Sequence, residues 1–316
     1  MPRRLAVALL AAVLWPAGAS AQSGNYPNRP IEMIIAFPAG AVTDTLGRML
    51  AEGMSAQLGQ PIVVHNRPGA SGAIGTLAAA RSKPDGYTLM FAPAVVLSVV
   101  PVMQKNAGYD AKSFDTLCQT YKNDMAIVVR KESPFKSVAD LVKAAKEKPG
   151  QLTYGHLGIG GIPYMAMVEF ATVSGLKFNP IAYKGDAEVL PQVLGGQVDF
   201  GSVTMSSATR SDLNVLAIFA EARNPAKPDV PTMKELGYDV APFSIGGLFA
   251  PAGLPADLKK RLSDACRTAA AGDGYKTMAK RMYQPVEYYT DGDTFDRNIQ
   301  KDVAQKAKIL NSLGTP

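Results

Sequence analysis

The chain has 316 residues, of which 47% are hydrophobic, and its formal net charge is +6. This length is sufficient for two lobes of ordinary domain size, and the composition is that of a soluble globular protein. No run of five or six basic residues forms a nucleic-acid or anionic-lipid patch, so we expect no nucleic-acid partner. The mild positive charge favours at most a weak steering of anionic ligands.

The N-terminal segment has the pattern of a secretory signal peptide. Two arginines precede an apolar run over residues 5–15, and Ala19-Ser20-Ala21 supplies the small residues of a cleavage site. The apolar run is too short to span a bilayer. We therefore expect residues 1–21 to be removed and the mature chain to act in the periplasm. Losing the two arginines lowers the formal charge from +6 to +4.

Cys118 and Cys266 are the only cysteines. In an oxidising compartment they can form a disulfide. The alternative is that both are small buried apolar residues. Cys266 shares a predicted helix face with Leu258 and Leu262, so burial is expected in both cases. Both alternatives stay open, because a sequence does not reveal the distance between two residues.

Strand and helix signals alternate from the start of the mature chain. Residues 31–37 form the continuous apolar run of a buried strand, and residues 43–58 form an amphipathic helix. The pattern then predicts a strand at 61–66, a helix at 72–81 and a strand at 88–93. This βαβαβ order predicts an α/β fold with a mostly parallel sheet.

A second alternating series begins near residue 124. Ser137 and Asp140 form a weak capping box at the start of a predicted helix over residues 138–148. The other elements are strands at 125–130, 152–155, 179–183, 198–203, 214–219 and 246–250, helices after Gly161 and Asp186, and helices at 258–270, 275–281 and 295–310. We expect crossovers near residues 122–126 and 218–243. They divide the chain into one lobe of residues 22–122 plus 240–316 and a second lobe of residues 123–239.

Four strand-to-helix loops are candidates for ligand binding, at residues 37–44, 67–73, 155–164 and 183–187. In open α/β sheets, ligands bind beyond the carboxyl ends of the strands, where helix N-termini offer free N–H groups and a partial positive charge. The second loop lacks the Gly-Lys-Ser/Thr of a Walker motif, and the third lacks the spacing of a dinucleotide fingerprint. Taken singly, none of the loops is specific.

Catalytic and metal-binding patterns are scarce. His65 and His156 are the only histidines, and neither belongs to a Cys/His cluster, so a zinc site has little support. Ser71 does not fit the nucleophile-elbow pattern. We therefore expect no enzymatic activity, no metal and no cofactor. An exported hydrolase remains the weaker alternative.

Several motifs occur in order along the chain: Phe37-Pro38-Ala39-Gly40, Asn66-Arg67-Pro68-Gly69, Pro84-Asp85-Gly86-Tyr87, Tyr183-Lys184-Gly185 and Leu194-Gly195-Gly196-Gln197. Together they resemble the substrate-binding proteins of the tripartite tricarboxylate transporter family, also called the Bug family. The resemblance covers essentially the whole mature chain. It implies the type II periplasmic-binding-protein fold, whose two lobes close like a flytrap. The sequence leaves the oligomeric state open, and nothing in it suggests more than a monomer. The resemblance also implies a carboxylate-bearing ligand held largely by backbone amides and waters, and delivery to a membrane permease. Some members resemble sensors that serve a signalling kinase, which is the alternative function.

The family's ligand loops correspond by position to the four loops above and to the segments after Phe91 and Val203. The binding residues implied in this way are Phe37, Ala39, Ala41, Thr43, Asp44, Ala70, Ser71, Gly72, Ala92, Gly158, Gly160, Gly161, Tyr164, Tyr183, Gly185, Asp186, Ala187 and Thr204.

The chain departs from the family pattern at four of these positions. Ala39 and Ala41 stand where the family usually has Pro and Gly, and Ala41 disfavours a positive φ. Gly161 and Tyr164 stand where it usually has Ser and His. We hypothesise that Phe37 and Tyr164 favour a flatter or more apolar acid, aromatic acids included.

Overall fold

A computed structural model describes residues 26–104, 106–158, 161–209, 212–225, 227–240, 244–284 and 288–312. The predicted signal peptide and Gly160 lie outside these residues. The strands are β1 (Ile31–Ile35), β2 (Ile62–Asn66), β3 (Thr88–Pro93), β4 (Phe114–Lys122), β5 (Met125–Arg130), β6 (Thr153–His156), β7 (Asn179–Ala182), β8 (Phe200–Thr204), β9 (Leu213–Phe219), β10 (Ile245–Pro251) and β11 (Thr290–Asp291).

The helices flank two separate sheets. They are α1 (Val42–Leu58), α2 (Ala73–Ala80), α3 (Val95–Ser98), α4 (Val100–Met103), α5 (Val138–Glu147), α6 (Ile162–Ser174), α7 (Asp186–Leu194), α8 (Met205–Thr209), α9 (Ala256–Ala271), α10 (Asp273–Arg281) and α11 (Gly292–Ser312). In the part of the chain that the structure describes, no helix is both long enough and apolar enough to cross a membrane.

The first sheet has the strand order β11-β4-β10-β3-β1-β2, and the second has the order β7-β6-β8-β5-β9. Strand β1 pairs in parallel with β2 and β3, and β6 pairs in parallel with β7 and β8. The remaining pairings, which involve β4, β5, β9, β10 and β11, are antiparallel.

The two sheets are therefore mixed rather than mostly parallel as predicted. The reason is the path of the chain, which leaves the first sheet along β4, enters the second along β5, and returns from β9 into β10. These strands run against the strands of the βαβ units beside which they lie. The parallel parts contain the strands that precede the four candidate loops.

The two crossovers lie side by side and are hydrogen-bonded to each other. The first is Asn123 and Asp124, between β4 and β5, and the Asn123 N–H donates to the Ser244 carbonyl at 2.6 Å. In the second, the side-chain amide of Asn224 donates to Asp124 Oδ2 at 3.1 Å. The first connection lies within the predicted region of residues 122–126, and the second ends one residue beyond the predicted region of residues 218–243.

Strand β4 was missed by sequence reasoning because polar residues interrupt its apolar pattern. Thr116, Gln119 and Thr120 are buried, and the chain supplies partners for the two threonine hydroxyls and for the Gln119 side-chain oxygen, which accepts from Asn298 Nδ2 at 3.1 Å. Thr116 Oγ1 donates to the Gly292 carbonyl at 2.9 Å, and the Tyr275 hydroxyl donates to Thr120 Oγ1 at 2.8 Å. Buried polar groups with partners carry little penalty, so a strand can tolerate them.

One hydrophobic cluster joins the two sheets and contains, among others, Ile127 of β5, Phe170 of α6, Phe249 of β10 and Phe295 of α11. The opposite face of the first sheet packs against α1 and α9. On that face Cys118 of β4 and Cys266 of α9 form a disulfide, with their Cα atoms 6.5 Å apart. Both cysteines are fully buried.

Candidate functional site

Each of the four candidate loops opens a helix that lacks a side-chain cap. The residues preceding α1, α2, α6 and α7 are Ala41, Gly72, Gly161 and Gly185, and none forms a capping hydrogen bond among the described residues. Helix α5, outside the candidate loops, instead has the predicted cap from Ser137. The first-turn N–H groups of an uncapped helix are available to an anion.

Asp44 organises the first loop. Its Oδ2 accepts the Gly40 N–H at 2.8 Å, and its Oδ1 accepts from Arg48 Nε at 3.0 Å and from Asn66 Nδ2 at 2.8 Å. The Asn66 amide also donates to the Phe37 carbonyl at 3.0 Å. Burial raises the pKa of Asp44, but the bonds from Arg48, Gly40 and Asn66 outweigh burial and hold the pKa below its usual value. Both oxygens are thus engaged in holding the loop, and a ligand would compete with them.

Ala41 is not strained by its departure from the family pattern. Its φ is −67° and its ψ is 162°, which is ordinary extended backbone. The left-handed residue of this loop is Gly40, with φ of 82°. Ala39 and Gly40 are exposed, whereas Thr43 is buried with Oγ1 3.4 Å from the Tyr121 hydroxyl. The exposed face of the first loop therefore consists of backbone and small side chains.

The second loop holds consecutive residues in left-handed backbone. Gly69, Ala70, Ser71 and Gly72 have φ of 128°, 48°, 55° and 92°. Glycine adopts such values readily, but at Ala70 and Ser71 they cost roughly 1–2 kcal/mol each. The turn is closed by the Gly72 N–H, which donates to the Gly69 carbonyl at 2.9 Å. Ala70 and Ser71 are exposed on its outer side.

The first and second loops meet through Phe37. A Cβ added to Gly72 would lie 2.9 Å from Val96 and 3.4 Å from the Phe37 ring, so only glycine fits between them. Val96 belongs to the segment after β3, which is buried. Ala92, predicted there as a binding residue, is fully buried opposite Gly247. Buried Val96 therefore packs against Gly72 beside the Phe37 ring. Ala92 has no exposed side chain that a ligand could contact.

The third loop brings His156 against Tyr164. Their ring centroids are 4.9 Å apart, and His156 Nδ1 lies 3.2 Å from the Gly158 carbonyl. Burial lowers the pKa of His156 and the bond to Gly158 opposes this, with the net pKa lowered, so the ring is neutral at pH 7. Tyr164 is half-buried and keeps part of its ring accessible.

Gly161 leaves no room for a side chain. A Cβ at this position would overlap the Leu157 carbonyl oxygen. Pro163 occupies the first turn of α6, where its missing N–H costs nothing. A serine here, as the family pattern has, would require a different path of the loop between residues 157 and 161.

The fourth loop is joined to the end of β8. The Tyr183 N–H donates to the His156 carbonyl at 2.8 Å, which ties the fourth loop to the third. Asp186 Oδ2 accepts from the Thr204 N–H at 3.0 Å and from Thr204 Oγ1 at 2.6 Å. Gly185 and Asp186 are half-buried, and Ala187 is exposed. The structure thus groups the predicted residues into one set on each sheet.

Sequence reasoning did not select Asn66, Tyr121, Ser206 or Ser207. Asn66 was read only as part of a turn, and Tyr121 lies in the strand that was missed. The two serines follow β8 directly, and their hydroxyls lie 3.2 and 3.0 Å from Thr204 Oγ1. A run of hydroxyl residues at the end of a predicted strand was the signal that could have identified them.

The arrangement of uncapped helix N-termini can bind an anion. Among the described residues no cluster of three or more His, Cys, Asp and Glu could hold a metal ion. Helix N-termini supply a partial positive charge at the loops. A surface cavity of about 210 Å³ bounded by Arg267, Tyr275 and Tyr289 includes no residue of the four loops.

Comparisons with known proteins agree on one family. The model of the tripartite tricarboxylate transporter family receptor matches residues 46–315. A UPF0065 protein from the gbd 5′ region of Cupriavidus necator is 33% identical over 300 residues, covering 94% of this chain and 91% of that protein.

Two solved structures are similar over nearly the whole chain. The periplasmic binding protein BugD is 28% identical with a TM-score of 0.80, covering 92% of this chain and 99% of BugD. Rpa4515 of R. palustris, solved with adipate, is 25% identical with a TM-score of 0.82, covering 92% of this chain and 98% of Rpa4515.

Proposed function

The chain belongs to the tripartite tricarboxylate transporter receptor family, and from this premise we propose that it captures a small carboxylate-bearing ligand in the periplasm for uptake by a membrane permease. Its fold is the two-lobed type II periplasmic-binding-protein fold of its structural relatives. Residues 1–21 serve in this proposal as the signal peptide that directs export.

The observation that carries the proposal is the set of four helices, α1, α2, α6 and α7, that begin without a side-chain cap at the ends of parallel strands. Two of these helices belong to each sheet. A ligand with a carboxylate at each end could bind N–H groups from both. The relative solved with adipate, a dicarboxylate, supports this ligand class.

We assign the lobes as residues 22–122 plus 240–316 and residues 123–239. The two short crossovers at Asn123–Asp124 and after β9 would act as the hinge. Because contacts from both lobes form only in the closed state, a ligand shifts the equilibrium toward closure. The permease would then recognise the closed surface of a monomer.

The ligand contacts we propose come from exposed or half-buried parts of the loops: Phe37, Ala39, Ala41, Ala70, Ser71, Gly158, Tyr164, Tyr183, Gly185, Ala187 and Thr204. Gly160, outside the described residues, stays a proposed contact from the sequence alone. Thr43, Asp44, Gly72, Ala92, Gly161 and Asp186 shape the site instead. The two accessible aromatic rings, Phe37 and Tyr164, favour acids with a flat or apolar body. The protein would return its ligand chemically unchanged.

Thermal unfolding of residues 22–316 against dicarboxylates, tricarboxylates, aromatic acids and acidic amino acids tests the proposal. The protein should first be unfolded and refolded to remove any ligand retained in purification. Calorimetric detection is needed, because Trp15 in the signal segment is the only tryptophan. An acid at 100 times its Kd adds about 2.7 kcal/mol of stability. Stabilisation by none of these acids, or conversion of the bound acid to a product, would contradict the proposal.

A further inference from the structure

Asp186 is a carboxylic acid placed behind the hydroxyl groups of the second sheet's binding edge. It is the first residue of α7, and its Oδ2 is bonded to the N–H and the hydroxyl of Thr204. Its Oδ1 is sealed from solvent and has no hydrogen-bond partner within the described ranges. An ionised carboxylate is stabilised by several hydrogen-bond donors, and Oδ1 has none here, so this environment favours the neutral acid.

The hydroxyl of Thr204 connects Asp186 to the accessible side of the site. Thr204 Oγ1 lies 2.6 Å from Asp186 Oδ2, 3.0 Å from Ser207 Oγ and 3.2 Å from Ser206 Oγ. Thr204 and Ser207 are half-buried, whereas Ser206 is buried. Protons in such a chain of hydroxyls can point in either direction, and the group at the end of the chain decides which.

The direction depends on the protonation state of Asp186. An ionised Asp186 only accepts, so Thr204 donates its proton inward and turns lone pairs toward the cleft. Those lone pairs repel a ligand carboxylate. A protonated Asp186 donates from Oδ2 to Thr204 Oγ1, and Thr204 and Ser207 can then donate their own protons outward.

The surrounding charges do not favour ionisation. The elements packed against α7 are β5, β6 and β8. Arg130 of β5 lies beside Gly196, past the C-terminal end of α7. Strand β6 carries Tyr154, whose pKa is raised by burial, and His156, whose pKa is lowered by burial, so neither ring is favoured in its charged form. Burial raises the pKa of Asp186, and the hydrogen bonds from Thr204 and Ser207 offset this only in part.

The other charged groups on α7 and in the turn before it lie at the surface, away from the buried oxygens of Asp186. Glu188 accepts the Lys184 N–H at 3.0 Å, and both residues are exposed. Asp199 lies before the start of β8, where it accepts from Thr153 at 2.8 Å. These exposed groups are screened by water.

We propose that Asp186 binds the ligand as a neutral acid, so that the Thr204 and Ser207 hydroxyls donate to a ligand carboxylate, and that capture takes up one proton wherever Asp186 is ionised in the free protein. The balance is one ionised carboxylate ligand plus one proton from solvent, with the proton resident on Asp186 Oδ2. Because this inference depends on the proposed function, its test must separate the two.

Titration calorimetry with adipate as the probe, at several pH values from about 6.5 to about 9 and in two buffers of different ionisation enthalpy at each, measures the protons taken up. Both carboxylates of adipate are ionised throughout this range, since carboxyl pKa values lie near 4. We expect proton uptake by the wild type to rise with pH toward one proton per adipate, as Asp186 becomes ionised in the free protein, and Asp186→Asn to take up none at any pH. The amide of Asp186→Asn donates to Thr204 as the neutral acid would, so this variant should bind adipate at least as tightly as the wild type.

The pH dependence gives a second readout. Above the pKa of Asp186, the wild-type Kd should rise up to about tenfold per pH unit, and the Kd of Asp186→Asn should stay flat. Glu188→Gln, which removes an exposed carboxylate of the same helix, should behave as the wild type. Proton uptake that persists in Asp186→Asn, or adipate binding by the wild type with neither proton uptake nor a rise in Kd at any pH up to about 9, overturns this inference alone. Failure of adipate and of every other acid to bind either protein overturns the proposed function and this inference with it.

Discussion

At the scale of single residues, the second loop shows where the chain accepts strain. Ala70 and Ser71 are held at positive φ between two glycines that adopt the same region without cost. Unfavourable backbone of this kind persists only where the surroundings hold it, and it is concentrated at functional sites. Here the gain is an outer face of backbone groups at the start of α2.

Ser71→Val tests the strain. A β-branched side chain at φ of 55° should lower the free energy of unfolding by about 1–2 kcal/mol relative to the wild type. Ser71→Gly is the matched control and should be neutral or slightly stabilising. Urea unfolding measures both. Equal stability of the valine variant and the wild type would show that Ser71 is not held in this conformation.

Tyr164 supplies the accessible aromatic face of the third loop. Tyr164→Ala removes the ring that packs on His156 and should weaken binding of the true acid by roughly tenfold or more, as loss of a half-buried aromatic contact does. Tyr164→Phe keeps the ring and should retain most of the affinity. Competition binding with the acid identified by thermal unfolding compares the variants. An alanine variant with unchanged affinity would eliminate Tyr164 from the site.

At the scale of elements, Asp44 shows how one side chain holds a loop, a helix start and a neighbouring strand together. Its partners belong to the first loop, to α1 and to β2. Hydrogen bonds to a charged group contribute about 1.5–3 kcal/mol each, less where solvent screens them. The loop geometry therefore depends on a residue that the sequence suggested as a ligand contact.

Asp44→Ala should lower the free energy of unfolding by about 2 kcal/mol at pH 7. Because the folded pKa of Asp44 lies below its unfolded value, its contribution is present above the unfolded pKa and is lost as the pH falls through the folded pKa. The difference between wild type and variant should therefore shrink in acid. Glu52→Ala, at an exposed carboxylate of the same helix, is the control. A constant difference down to about pH 2 would contradict this role.

Most elements were predictable, because apolar periodicity and turn residues act locally. Strand β3, for example, begins and ends where the pattern predicts. Strand β4 and the antiparallel pairings were not predictable, since both depend on partners distant in the chain. The candidate loops were chosen from the strand-to-helix order. The accessibility of individual side chains was not predictable, because Asp44 of the first loop and Ala92 of β3 are buried by tertiary contacts.

At the scale of the molecule, helix α6 of the second sheet packs near helix α11, which follows β11 of the first sheet. Glu169 of α6 is buried and near Asp302 and Lys306, which are buried and paired at 2.7 Å. Burial raises the pKa of Glu169, Lys306 lowers it, Asp302 raises it, and the result is about 7. The contact region between α6 and α11 thus contains a carboxyl group with a pKa of about 7.

Glu169→Gln should remove a pH dependence of stability. A raised carboxyl pKa contributes stability that is present below the unfolded pKa and lost as the pH rises through the folded pKa, here between about 4.5 and about 7. The loss amounts to about 3 kcal/mol, so the glutamine variant should be more stable than the wild type above pH 7 by up to this amount. Glu147→Gln, at an exposed position, is the control. Parallel stability curves for Glu169→Gln and wild type from pH 4 to 8 would contradict the assignment.

The measurement that tests the central claim most directly is a calorimetric titration of the refolded mature chain with each acid and with its uncharged amide. Adipate and adipamide form the first pair. We predict saturable binding of at least one acid at one site per chain, with its amide bound at least a hundredfold more weakly, because the helix N-termini recognise negative charge. Equal binding of an acid and its amide, or no binding of any acid, would contradict the account.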